Sequence, residues 1–261
     1  LHRISMKQLF RSLFQNLFGF KNYLFCFSLY CIKKVNSGTY EQEFMHFVKL
    51  IKRDGIVLDI GANIGITAAP MAKHLPNAQI DAFEPIAENF NTLRKIISFL
   101  KLNNLRLFNF ALGNSKGTLK MIMPTINNSR MQGLSKAFDP SENEQGVIYE
   151  VPIKRLDDLY SEKERVVAIK IDVENYELEV LKGGKELLNR DSPIIYCELW
   201  DNENRKHALD LLYALGYESF IYDPTIKGLL PWTSTQSSKV NNFFFLPKVK
   251  TFQKDNHATI N

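Results

Sequence analysis

Ile56-Val57-Leu58-Asp59-Ile60-Gly61-Ala62-Asn63-Ile64-Gly65 is the stretch on which the fold turns. Ile56, Val57, Leu58 and Ile60 surround Asp59 and lead straight into Gly61. That pattern reads as a short buried strand running into a glycine turn. Strand, tight turn and following helix form the first unit of a nucleotide-binding α/β fold. Outward from it, residues 79–85 form a second apolar strand that ends in Glu84-Pro85. Glu84 lies 25 residues after Asp59. An acid at the tip of the second strand suits the hydroxyls of a ribose. The turn matches neither the dinucleotide fingerprint nor the phosphate loop. Asp59 beside it would repel a pyrophosphate. A ligand with a ribose, an ammonium group and no phosphate fits better, and S-adenosylmethionine is such a molecule.

The rest of the chain alternates strands and helices around this unit. Helices are expected over residues 40–51, 66–75, 86–102 and 176–188, with a further one carrying Ala208, Leu211, Leu212 and Leu215. In the second of these, Thr67 as N-cap would put Pro70 at the third helical position, within the first turn, where amides lack helical partners. Strands are expected at 105–110, 166–173, 194–199, 218–222 and 242–246. Such alternation predicts a mostly parallel sheet with helices on both faces. Residues 118–123 and 147–153 read as a hairpin inserted into that pattern, its polar loop lying over the mouth of the pocket.

Composition narrows the function. Hydrophobic residues make up 45% and charged residues 23%, as in an ordinary globular protein. The net charge of +5 is scattered rather than gathered into a stripe, so nucleic acid is not the expected partner. Cys26, Cys31 and Cys197 show no metal spacing, and three thiols suit a cytoplasmic, reduced protein. No metal is expected. Near the N-terminus, Leu9-Phe10, Leu13-Phe14 and Leu17-Phe18 recur every four residues and line one helix face. The preferred expectation is that this stripe packs against the body or a second subunit. The alternative is an anchor on the inner membrane surface, helped by Arg3, Lys7, Arg11 and Lys21. The expected organisation is an N-terminal helical segment over 1–50, a ligand-binding domain over 51–247 and a polar tail over 248–261.

Several motifs together resemble the FkbM family of S-adenosylmethionine-dependent methyltransferases. They are Val57-Leu58-Asp59-Ile60-Gly61-Ala62-Asn63-Ile64-Gly65, Phe83-Glu84-Pro85, Ala111-Leu112-Gly113 with Gly117-Thr118-Leu119, and Leu156-Asp157-Asp158-Leu159. Lys170-Ile171-Asp172-Val173-Glu174, Leu181-Lys182-Gly183 and Glu198 complete the set, which spans about residues 40 to 217. The resemblance implies a class I methyltransferase fold, a Rossmann-like seven-stranded sheet with its last strand antiparallel. It implies methyl transfer to a hydroxyl, often on a sugar, glycan or natural product. It implies S-adenosylmethionine as cofactor, with Asp59, Gly61, Ala62, Asn63 and Gly65 at its amino-acid end. Glu84, followed by Pro85, would then meet the ribose, and Asn109 to Ala111 would lie along the adenine. Two departures stand out: Asn175 replaces the glycine that usually follows Asp-Val-Glu, and Pro70 takes a place usually held by a small residue.

A sugar hydroxyl is a poor nucleophile, so a general base should assist its attack. In open α/β sheets, chemistry happens beyond the carboxyl ends of the strands. The acids there are Asp172, Glu174 and Glu198. Asp172 or Glu174 is the expected base, with Glu198 orienting the acceptor. Rival expectations are a binding or scaffold protein that keeps the fold without chemistry, and a nicotinamide-dependent dehydrogenase.

Overall fold

The computed structural model describes residues 6–233 and 240–248, with the backbone alone for 6–10. Its centre is strand β1 (Ile56–Ile60), whose last four residues are buried. On either side run parallel strands: β2 (Gln79–Phe83) and β3 (Leu105–Phe108) to one side, β9 (Val166–Ile171) and β10 (Ile194–Glu198) to the other. Strand β13 (Asn242–Pro247) inserts antiparallel between β10 and β11 (Tyr217–Asp223). Strand β12 (Gly228–Pro231) then pairs antiparallel with β11 at the edge. Among the described residues the sheet therefore has eight strands, in the order β12-β11-β13-β10-β9-β1-β2-β3, one more than expected. The extra strand escaped notice because Gly228–Pro231 is short and half-exposed, without the apolar run of a central strand.

Alternation along the strands gives the sheet two apolar faces. On one face, Leu58, Ile60, Ile169 and Ile171 pack with Leu178, Leu181, Leu188 and Leu212. These come from α6 (Glu177–Gly183), α7 (Lys185–Asp191) and α8 (Glu203–Ala214). On the other, Val57, Ile80 and Ala168 pack with Phe44, Phe47 and Val48 of α3 (Gln42–Leu50) and Met71 of α4 (Ala68–His74). Helix α5 (Ala87–Leu100) buries Leu93 and Ile96.

The helix expected over 176–188 is two helices, broken at Gly184. A Cβ on Gly183 would collide with the carbonyl of Gly113, and one on Gly184 with Leu156. The chain changes direction there to let α6 approach the turn after β4 (Ala111–Leu112). Strand β3 also stops at Phe108, two residues short of the expectation. Thr67 does stand at the N-cap of α4, with Pro70 at the third helical position. Its hydroxyl is turned to Asp59 Oδ2 at 2.7 Å instead of capping the helix.

The expected hairpin is β5 (Gly117–Ile126) with β8 (Gly146–Lys154), paired antiparallel over their length. It is the core of a second small sheet that also holds β4, β6 (Ser129–Arg130) and β7 (Lys136–Ala137). Asn127 and Asn128 adopt left-handed φ values of 49° and 60° in the two-residue turn between β5 and β6, the conformation such hairpins need. At the N-terminus, α2 (Phe20–Asn36) packs on the body through Tyr23, Leu24, Ile32 and Val35, and α1 (Met6–Phe18) lies beside it. Leu13, Phe14, Leu17 and Phe18 of α1 remain exposed, so this part of the stripe does not pack against the body as expected. The face that α1 does turn inward is polar: Gln15 exchanges two hydrogen bonds with the backbone of Arg130. Among the described residues no helix is long and apolar enough to cross a membrane. The polar tail, apart from Lys248, lies outside the described residues.

Candidate active site

Gly61 is the hub of the site. Its φ is +80°, and a Cβ there would run into the carbonyl oxygen of Asp172. Only glycine lets the turn after β1 lie against the end of β9. Three cavities meet at this residue. The largest, about 450 Å³, lies between the turn and the N-terminal helices. A narrow one runs past Glu84, and an apolar one lies between Pro85, Phe110, Ala111 and Met121.

Behind the turn stands an ion-pair network. Asp59 and Lys170 are directly paired across β1 and β9 and share one face of the sheet. Both are buried. Lys170 Nζ lies 3.4 Å from Asp59, 3.3 Å from Asp172, and donates to Gly61 O at 3.1 Å. Burial works against the lysine's charge, but Asp172 and Asp59 outweigh it and hold its pKa above the ordinary value. Burial raises the pKa of Asp59, opposed by Lys170 and the Thr67 hydroxyl. Asp59 therefore borders none of the three cavities. It braces the turn through Lys170 and Thr67.

Glu84 is also buried. Its carboxylate accepts from the amide of Asn63 at 2.8 Å and that of Ile86 at 2.9 Å. It thus clamps the glycine turn to the start of α5. Burial pushes its pKa up to about 7 despite those amides. Three nearby side-chain oxygens, on Asn63, Asn89 and Gln132, are buried without a hydrogen-bond partner among the described residues. All three residues border the narrow cavity beside Glu84. Buried acceptors left unsatisfied point to donors from outside the protein.

The acids at the strand ends divide between cavities. Asp172 borders both the large and the narrow one. Glu198 borders the large one, beside Tyr40, Glu41, Phe44, Tyr196 and Asn242. Glu174 borders only the narrow one. Burial, then the charges of Asp172 and Glu177, raise Glu198 to about 7. Burial, then Asp172 and Glu198, raise Glu174 to about 8. Glu174 and Asn175 follow each other with left-handed φ values of 53° and 72°. The Asn175 side-chain oxygen accepts from Asn202 at 2.7 Å and Asn204 at 3.3 Å. Asparagine thus keeps the left-handed turn and ties it to the loop after β10.

Other residues singled out in the sequence sit differently. Ala62 and Asn63 border the large cavity. Gly65 borders none; a side chain there would strike Leu93, so it serves the packing of α5. Asn109 borders none either, and its amide ties the carbonyls of Glu84 and Pro85 at 2.9 and 3.0 Å. Lys170, named only as part of a motif, and Gln132 were not expected to have a role at the site. Lys170 hides in an apolar run, and its role depends on the strand register. Gln132 reaches the site through the folded hairpin loop. Both His74 and His207 are exposed on helices. Among the described residues no group of His, Cys, Asp or Glu could hold a metal ion.

The family model described as Methyltransferase FkbM domain matches residues 59–219, more than half of the chain. The chain belongs to the FkbM methyltransferase family. Among curated relatives, the 2-O-methyltransferase NoeI of Sinorhizobium fredii (strain NBRC 101917 / NGR234) is 32% identical. That match covers 62% of this chain and 70% of NoeI. Methyltransferase sdnD of Sordaria araneosa is 28% identical over 61% of this chain and 73% of its own length. The crystal structure of the FkbM methyltransferase from Methylobacillus flagellatus KT superposes with a TM-score of 0.50 at 16% identity. That likeness covers 84% of this chain and 53% of the other, and concerns the fold.

Family membership brings S-adenosylmethionine with it as cofactor, and the residues fit the molecule. Glu84 and the unsatisfied oxygens of Asn63, Asn89 and Gln132 are acceptors for hydroxyl and ammonium donors. The cavity at Pro85 and Ala111 is lined mainly by apolar side chains, the chemistry an adenine edge prefers, but at about 30 Å³ it would have to widen to take the ring. Among the described residues, the cations lining these cavities are Arg11 and the paired Lys170, both at the large one, which do not form a cluster that demands a phosphate.

Proposed function

We propose that this FkbM-family enzyme is an O-methyltransferase whose acceptor is a hydroxyl on a sugar, glycan or similar polyhydroxylated small molecule. The observation that carries the proposal is the pairing of Asp172 and Glu198 at the ends of adjacent strands, facing one cavity walled by aromatic rings. Phe27, Tyr40, Phe44 and Tyr196 supply flat apolar faces, while Glu41, Glu198 and Asn242 supply polar groups for hydroxyls. The 2-O-methyltransferase activity in the name of NoeI supports the same acceptor atom.

S-adenosylmethionine, when bound, supplies an electrophilic methyl group on a sulfonium. Glu84, with Asn63, Asn89 and Gln132, would hold its ribose and amino-acid donors; Pro85 and Ala111 would flank its adenine. Glu198 is the base: it would accept the proton that the acceptor hydroxyl gives up as its oxygen takes the methyl group, the methyl–sulfur bond breaking to leave the thioether S-adenosylhomocysteine. The Glu198 pKa near 7 suits that task at neutral pH. Asp172, 3.3 Å from Lys170, borders the same cavity as Glu198 and orients the acceptor. Glu174 lies toward the cofactor side, so the base assigned here is Glu198 instead of Asp172 or Glu174.

The test is methyl transfer from isotope-labelled S-adenosylmethionine to a panel of glycans, followed by mass spectrometry. A mass gain of one CH₂ on a hydroxyl oxygen is expected, and Glu198→Gln should lower turnover by about two to four orders of magnitude. Label on nitrogen or carbon, or full turnover in the variant, would overturn the assignment. Protein that binds S-adenosylhomocysteine but methylates nothing would favour the scaffold alternative.

A further inference from the structure

The first 40 residues contain no Asp or Glu, and the first acid in the chain is Glu41. The same segment carries Arg3, Lys7, Arg11, Lys21, Lys33 and Lys34. Within it, α1 holds the hairpin loop with one side and shows the other to solvent. Gln15 bonds Arg130 on the inner side. On the outer side, Leu17 is 68% and Phe18 56% exposed, with Leu13 and Phe14 beside them.

The apolar strip does not end with α1. The amide of Asn22 donates to the carbonyl of Phe18, and Asn22 in turn lines a shallow concavity between α2 and α5. Its other walls include Phe25, Arg94, Lys95 and Phe99. Phe25 and Phe99 meet edge to face at 5.6 Å, and Phe99 is 62% exposed. Lys21, Arg94, Lys95 and Lys101 are exposed around this strip. Large apolar side chains continuous over two elements are unusual on a solvated surface. The exposed charged residues named here are all basic, and Glu88 in the first turn of α5 is paired with Arg130.

We propose that this face of α1, α2 and α5 seats on an anionic lipid surface, with α1 lying in the plane of the interface. Charge complementarity decides the occupant. Leucine and phenylalanine enter the boundary between headgroups and acyl chains while lysine and arginine meet anionic headgroups. The described helices are too short or too polar to span a bilayer, which agrees with a surface position. Arg11 borders the large cavity one turn or less from Leu13 and Phe14, so the mouth of the site would open close to the lipid. The proposal does not depend on the reaction the site performs.

Co-sedimentation of the full chain with vesicles tests it. Vesicles of phosphatidylcholine mixed with phosphatidylglycerol should pellet the protein, and phosphatidylcholine alone should not. Binding should weaken as salt rises. The double change Leu17→Gln with Phe18→Gln should abolish pelleting. Lys21→Glu and Lys95→Glu should each weaken it about fivefold or more. None of these residues borders the three cavities, so the thermal unfolding midpoint should stay within a degree or so of the parent and show that the fold is intact. Equal binding to both vesicles, no binding to either, or parent-like pelleting of the Leu17/Phe18 variant would overturn the proposal. So would light scattering that finds a dimer broken by that variant while the parent ignores vesicles, because the face would then join two copies.

Discussion

Lys170 is a buried cation with three acceptors around it, and most of the site geometry depends on that arrangement. Removing one partner of a buried pair leaves the other charge uncompensated, at a cost of about 3–5 kcal/mol. Lys170→Met should therefore strongly destabilise the protein in urea unfolding. Adding Asp59→Asn should restore much of the loss, because the orphaned carboxylate is removed; strict additivity of the two changes would refute the coupling. Glu198 makes a second claim at this scale. A base must be deprotonated to act, so turnover should rise with pH through about 7, and Glu198→Gln should flatten that limb. A profile unchanged by the substitution would place the base elsewhere. Asp59 and Glu84 were recognisable in the sequence because motif spacing marks them. Spacing said nothing of whether their side chains face a cavity or the interior. Asp59 turns inward because the register sets it opposite Lys170, and no single segment records that register.

At the level of elements, close backbone approaches decide what the chain tolerates. Helix α6 nears the turn after β4 at Gly183, where a Cβ would strike the carbonyl of Gly113. Gly183→Ala should cost about 1–3 kcal/mol through overpacking, read as a lowered unfolding midpoint. No change would mean that the two elements can separate freely. The strands of the main sheet were legible because apolar runs of four to six residues between turn residues admit few other structures. The break between α6 and α7 was not. Apolar periodicity continues across Gly183 and Gly184, and only the packing against Gly113 and Leu156 interrupts it. Asn175 shows the converse. It departs from the family's glycine, yet it keeps a left-handed φ of 72° and gains bonds to Asn202 and Asn204.

Over the whole molecule, the carboxyl ends of the strands gather several buried acids into one region. Burial raises Glu84, Glu177 and Glu198 to about 7 and Glu174 to about 8. Each folded-state value lies above the ordinary carboxylate value. The folded protein therefore binds more protons than the unfolded chain between those limits. Their contribution to stability is complete below the unfolded value and is lost as pH rises through 7 to 8. The ligand-free protein should thus unfold a few degrees lower at about pH 8.5 than at about pH 6. A midpoint that rose over this range would mean that other groups dominate. The parallel sheet with helices on both faces was evident from the alternation of elements. The exposed face of α1 was not, because a stripe of Leu and Phe reads the same whether it meets a core, a second copy or a lipid surface.

The site as a whole rests on Glu84 and the glycine turn holding S-adenosylmethionine. Isothermal titration of the chain with S-adenosylhomocysteine, and of Glu84→Ala beside it, bears on that most directly. Saturable one-to-one binding is expected, weakened at least about tenfold by the substitution as charge-assisted hydrogen bonds are lost. No binding, tighter binding of NAD, or full affinity in Glu84→Ala would contradict it.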